Sequence, residues 1–141
     1  MKSLREKLDR PAELVTVPPQ MQKRFGKGKM LIPSPRDVEA LIRQVPRGKL
    51  IRQSEIRQRL AFAVGAKDAC PLTTGIFLRL VAESAVEKAR TGKTRITPYW
   101  RVIRDDGSLP ENFPGGPAVQ AERLEAEGHR IDRSGKFRVV L

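Results

Sequence analysis

Apolar residues recur at helical spacing in several stretches of the chain, and those stretches set the expected architecture. In LIPSPRDVEALIRQV, Val38, Leu41, Ile42 and Val45 fall three and four positions apart and predict a helix. Ser34 offers a side-chain oxygen to the free amides of its first turn, Pro35 suits the first helical position, and Asp37 sits at the capping-box position. PRGK, residues 46–49, ends that helix and turns the chain. A second short helix is expected over about Ser54 to Val64, with Ile56 and Leu60 inward and Arg52, Arg57 and Arg59 toward solvent. TTGIFLRLVAESAVEKAR carries the longest helical pattern, with Phe77, Leu78, Val81, Ala85 and Ala89 on one side and Gly92 as its stop. PAVQAERLEAEG reads as a further helix closed by Gly128.

Between and after these helices the pattern changes. RITPYWRVIRDDGS reads as an extended segment closed by a DG turn, and HRID and KFRVVL read as two short strands joined by Arg133-Ser134-Gly135. Residues 1–30 differ again: MKSLREKLDR suits a short helix, PAELVTVPPQ breaks it, and MQKRFGKGKM is basic and contains glycine. This segment is expected to be a basic extension that either stays flexible or wraps the domain. The chain therefore divides into an extension, 1–30, and one folded domain, 31–141. The expected class is mainly α with small β elements, compatible with a winged helix-turn-helix.

Composition sharpens this picture at one point, the charge. A formal net charge of +12 on 141 residues favours a polyanionic partner, and a nucleic-acid duplex is the commonest one. No apolar run approaches the roughly 18 residues needed to span a bilayer, and the N-terminus lacks a signal-like apolar stretch, so no membrane association and a cytoplasmic location are expected. One cysteine, Cys70, allows no internal disulfide, and one histidine, His129, leaves little basis for a zinc site; no metal or cofactor is expected. There is no Walker-type loop and no HExxH, and Asp105-Asp106-Gly107 reads as turn chemistry.

Two groups of residues carry candidate chemistry. The first lies at the junction of the second and third predicted helices, where free amides at a helix start suit phosphate or base-edge contacts. There Gln53, Ser54, Thr73 and Thr74 would grip a backbone, Gly75 would permit close approach, and Arg47, Lys49 and Arg52 would supply charge. The competing reading makes the threonines caps and the basic residues solvated. The second group is TPYWRV, residues 97–102, which holds the only tyrosine and the only tryptophan. As a strand it would send the two rings to opposite faces; as a loop it would let both line a cleft and stack on an extruded base.

The segments VPRGKLIRQSEI, TPYWRVIRDDGSL, FPGG and QAERLEAEGHRI, in that order, resemble the DNA-binding domain of the O6-alkylguanine-DNA alkyltransferases, and still more the small alkyltransferase-like proteins. The resemblance covers about residues 31–132 and implies a winged helix-turn-helix of the alkyltransferase C-terminal type. The enzymes' active-site motif is Pro-Cys-His-Arg-Val; the matching residues here are Pro98, Tyr99, Trp100, Arg101 and Val102. The alkyltransferase-like proteins have tryptophan at the cysteine position and keep the histidine. This chain replaces both halves of the nucleophile–base pair, so the resemblance implies binding without alkyl transfer.

By the same resemblance Tyr99, Trp100, Pro98 and Arg101 would wall a base pocket, with Pro114, Gly115 and Gly116 of FPGG in its lid. Glu127 matches the glutamate that orients the family's histidine. Gln53 stands where the family has the tyrosine that helps rotate the target nucleotide. Thr74 corresponds to the arginine that fills the gap left in the duplex, and Arg79 is a substitute for it. The implied function is recognition of O6-alkylguanine in duplex DNA by a monomer that flips the base and signals to nucleotide excision repair proteins. Two alternatives stay open: a general or architectural DNA-binding module without lesion preference, and a residual transferase acting through Cys70 or Tyr99.

Overall fold

Some helix starts in this protein are set by identifiable side-chain caps. In the computed structural model, which describes residues 3–141 apart from the side chain of Phe25, the elements in chain order are α1 (Leu4–Leu8), β1 (Glu13–Thr16), α2 (Gln22–Phe25), β2 (Lys29–Ile32), α3 (Pro35–Arg43), β3 (Ile51–Arg52), α4 (Gln53–Ala63), β4 (Asp68–Ala69), α5 (Pro71–Arg90), β5 (Val102–Ile103), α6 (Gly116–Ala126), β6 (Ile131–Asp132) and β7 (Arg138–Val139). Ser34 Oγ accepts the Asp37 amide at 3.0 Å and starts α3, as its sequence position predicts. The start of α4 is secured differently. Asp105 Oδ1, 51 residues away, accepts the Ser54 amide at 3.1 Å, and Glu55 Oε1 reaches back to the Arg52 amide at 3.1 Å.

One apolar cluster holds the helices together. Val38 and Ile42 of α3, Ile56 of α4, Val81 and Ala82 of α5, Val102 and Ile103 of β5, and Ala121 and Leu124 of α6 are all fully buried. At roughly 1.5–3 kcal/mol for each large apolar side chain removed from water, this cluster supplies most of the driving force for folding. The alternation expected for a strand at TPYWRV is not observed. Pro98 has φ −79° and ψ 63°, the Tyr99 amide donates to the Thr97 carbonyl at 2.8 Å, and the chain runs through an inverse γ-turn into a 3-10 turn at Tyr99–Arg101. Only Val102 and Ile103 are extended, and they pair in parallel with Ile51 and Arg52. That pairing places Gln53 and Ser54 next to Arg104 and Asp105, on the far side from the Trp100 turn.

Residues 4–32 pack on the rest of the protein. Leu8 of α1 is buried in the main cluster, and α1 lies against α5 and α3. β2 pairs antiparallel with β1 and parallel with β4, and the resulting small sheet covers a second cluster of Val17, Met30 and Cys70. The sequence pattern does not announce this sheet, because its third strand is two residues long and comes from between α4 and α5. The expected terminal hairpin is present as β6 and β7, with Ser108 bridging to Arg138, so the DDG turn joins it. Asp106 Oδ1 accepts both the amide and the hydroxyl of Ser108, at 2.9 and 2.6 Å.

Candidate functional site

The Trp100 turn is held from three directions. Trp100 Nε1 donates to Glu127 Oε2 at 3.0 Å from the end of α6. Arg101 forks onto the same carboxylate, Nε to Oε1 at 2.9 Å and an Nη to Oε2 at 2.8 Å, while its other Nη donates to the Val45 carbonyl at 2.7 Å. Fully buried Gln120 donates from Nε2 to the carbonyls of Trp100 and Val102, at 3.0 and 2.8 Å. Burial pushes the Glu127 carboxyl up, but hydrogen bonds from Arg101 and Trp100, the Arg101 charge and the Gly48 amide outweigh it. The group stays below the usual carboxylate range. The indole thus takes a donor position toward Glu127, although the relay that the resemblance assigns to an imidazole at residue 100 has no counterpart.

Tyr99 points the other way. Its side chain is 2% exposed, and its ring meets the rings of Trp100 and Phe113 edge-on, with centroids 5.4 and 5.5 Å away. Burial pushes the phenol pKa up, with the Arg123 charge opposing. At neutral pH the hydroxyl is protonated, a hydrogen-bond donor and not a nucleophile. Phe113 is seated by the glycine turn: the Gly116 amide donates to the Phe113 carbonyl at 2.9 Å, and Gly115 adopts φ 79° where a Cβ would overlap Val119. Pro114, Gly115 and Gly116 therefore shape the turn that lays Phe113 over Tyr99.

The sequence-predicted site residues fall into separate places. Pro98, Trp100, Arg101 and Arg47 line one cleft of about 450 Å³, and Tyr99 is not among its lining residues. Gln53, Ser54, Thr74 and Gly75 line a second cleft of about 390 Å³, at the junction of α4 and α5, together with Arg104, Asp105 and Lys136. Arg52 is beside that cleft, its Nε donating to the Asp105 carbonyl at 3.2 Å. Thr73 donates to Cys70 Sγ at 3.2 Å, and no side chain caps the start of α5 among the described residues. Lys49 lies on another face with Arg59, and Arg79 pairs with Glu83 at 2.9 Å on the side of α5 that faces α1.

The α4–α5 junction has features of a surface suited to a ligand. Thr74 Oγ1 and Arg104 Nε are buried there without a hydrogen-bond partner among the described residues. Leu72 and Ile76, one turn apart on α5, are 75% and 55% exposed outside this cleft, and Ile76 faces the α1 side. Sequence reasoning missed Asp105, whose carboxylate occupies the free amide of Ser54, and Arg104 and Lys136 from the hairpin side. No local signal relates those residues to α4, because the turn that carries them is brought there by the β3–β5 pairing.

A helix-turn-helix pair, α4 and α5, flanked by a small hairpin and backed by the Tyr99–Trp100 turn, is the winged-helix arrangement of the alkyltransferase C-terminal type. The chain shares it with two solved structures: S. pombe Atl1 in complex with damaged DNA containing O6-carboxymethylguanine, at 22% identity and a TM-score of 0.52, and S. pombe ATL in complex with DNA, at 24% identity and a TM-score of 0.51. Each likeness covers 76% of this chain and 88% of the other. No protein-family model matches the chain, and no curated protein matches it. The likeness establishes the fold.

Proposed function

We propose that this protein binds duplex DNA through the α4–α5 junction without reacting with it, and that it recognises O6-alkylguanine and flags it for repair. The observation that carries the non-enzymatic part is what stands at the reacting positions. A protonated, buried phenol at Tyr99 and an indole tied to Glu127 replace the thiol and imidazole that alkyl transfer needs. Cys70 belongs to the other apolar cluster, with Val17 and Met30, and has no imidazole partner. The DNA-binding part draws on the shared fold, the net charge of +12, and the cleft formed by Gln53, Ser54, Thr74 and Gly75.

In the lesion-recognition reading, an extruded guanine enters beneath Phe113 and meets the Tyr99 hydroxyl, a donor matched to an acceptor at O6. The test is a titration of the protein, followed by Trp100 fluorescence, with duplexes that differ in one O6-methylguanine. Tighter binding of the modified duplex by tenfold or more is expected; equal affinities rule lesion recognition out, and no binding to either duplex rules out the whole reading. A second reading, DNA binding without lesion preference, is favoured by one observation. Tyr99 is 2% exposed beneath Phe113, so a base enters only if Phe113 moves. Under this reading the two duplexes bind equally and with a steep salt dependence.

A further inference from the structure

The cleft beside Trp100 contains more charge than its structural role requires. Arg43, Arg47, Lys93, Arg95, Arg101 and Arg123 converge on it from α3, the PRGK turn, the α5–β5 loop, the Trp100 turn and α6, and among the described residues Glu127 is the one acidic residue lining it. Glu127 is already saturated by Arg101 and Trp100. Arg47 caps α6 by donating to the Ala126 carbonyl at 2.8 Å, Arg43 is 4.0 Å from Glu39, and Arg123 lies over the Trp100 ring at 4.6 Å. Helix ends account for Arg43 and Arg123, which occupy the last turns of α3 and α6. They do not account for Lys93 and Arg95, which lie beyond every helix, are exposed, and have no side-chain partner among the described residues.

We infer that this cleft is a second nucleic-acid site, which takes the phosphodiester backbone. The inference rests on the DNA-binding reading above and extends it to the opposite end of α5. Gly75 lines the α4–α5 cleft and Ala89 lines this one; at 1.5 Å rise per residue they are about 20 Å apart along the helix. Like charges gathered in one concavity raise the energy of the free protein, and a polyanion removes that repulsion. Guanidinium groups also match phosphate oxygens in their fork geometry. A phosphodiester chain fits better than an acidic protein segment because the cleft has little apolar anchorage. Trp100 is 7% exposed and its face is covered by Arg123.

The test uses the full chain and the double variant Lys93→Ala/Arg95→Ala, chosen because neither side chain holds the fold. Duplex affinity is measured by fluorescence anisotropy across a salt series, with the thermal midpoint as a folding control. The variant should keep its midpoint, bind on the order of tenfold more weakly at low salt, and lose about 2 from the slope of log K against log salt, near 0.9 for each phosphate contact. Two arms identify the source of the backbone. If one duplex reaches both ends of α5, the deficit appears with a 30-base-pair duplex and not with a hairpin whose stem of about 5 base pairs is shorter than that span. If a second duplex is captured, energy transfer between two differently labelled short duplexes appears with the wild type and is lost in the variant. An unchanged slope and affinity at both lengths, with the wild type still binding, overturns the inference and leaves the α4–α5 reading standing. Wild type that binds no duplex overturns both. Loss of binding to a polyglutamate peptide alone would assign the cleft to a protein partner and also overturn the inference.

Discussion

The Trp100 turn and the α4–α5 junction lie on either side of the β3–β5 pair and differ in how their polar atoms are satisfied. At the Trp100 turn the indole N–H, the guanidinium of Arg101 and the carboxylate of Glu127 bond one another, and the exposures of the Arg101 and Glu127 side chains are 13% and 4%. Its loose end is Gln120 Oε1, buried without a partner among the described residues. At the junction two buried polar atoms, Thr74 Oγ1 and Arg104 Nε, lack partners among the described residues. Folding stabilises the first region, whereas the second retains polar groups that a ligand would satisfy. The residues of the Trp100 turn hold the structure, and the residues with unsatisfied polar atoms lie at the α4–α5 junction.

Substitutions at the two regions should therefore separate stability from binding. Glu127→Ala leaves the Arg101 guanidinium buried without its partner and is expected to destabilise by about 4 kcal/mol. Glu127→Gln keeps acceptor capacity for the indole and should lose distinctly less; urea denaturation of the two variants checks the order. Tyr99→Ala opens a cavity between Trp100 and Phe113 and should cost about 3 kcal/mol by the same measurement, while Tyr99→Phe should stay within about 1 kcal/mol. Duplex affinity of Tyr99→Phe then isolates the hydroxyl: a loss confined to the O6-alkylguanine duplex supports lesion recognition.

The acid limb of stability tests the same carboxylate more gently. The native pKa of Glu127 is depressed, so its contribution is complete above the unfolded-state value, near 4.3, and is lost as pH falls through the native value. The stability gap between wild type and Glu127→Gln should narrow as pH falls below about 4; a gap that is constant with pH would contradict the depressed pKa. In the first turn of α5, Leu72→Ser should change stability by no more than about 0.5 kcal/mol because the side chain is 75% exposed. It should nonetheless weaken duplex binding on the order of tenfold. Equal affinity for this variant would move the interface away from the first turn of α5.

The helices were legible in the sequence because their signals are local: spacing of Val38, Leu41 and Ile42, the Ser34 cap, and the run from Phe77 to Ala89. The type of fold was legible too, through the resemblance carried by four short segments. What escaped was set by partners distant in the chain. The TPYWRV segment turns because Pro98 fixes its φ and the Tyr99 amide finds the Thr97 carbonyl, while strand-like residues alone suggested extension. Asp105 caps α4 from 51 residues away, and the basic cleft draws on five separate segments. The small N-terminal sheet was hidden for the same reason, since β2 finds its parallel partner across α3 and α4.

The hydrogen bond from Trp100 to Glu127 also bears on what chemistry this turn could be given. A carboxylate placed 3.0 Å from an indole nitrogen is an acceptor that an imidazole at the same residue could also use. The end of α6 therefore already supplies the support that an activated side chain needs. Two substitutions in one turn, Tyr99→Cys and Trp100→His, would set a thiol beside a supported imidazole, which makes the turn a compact starting point for building an alkyl acceptor.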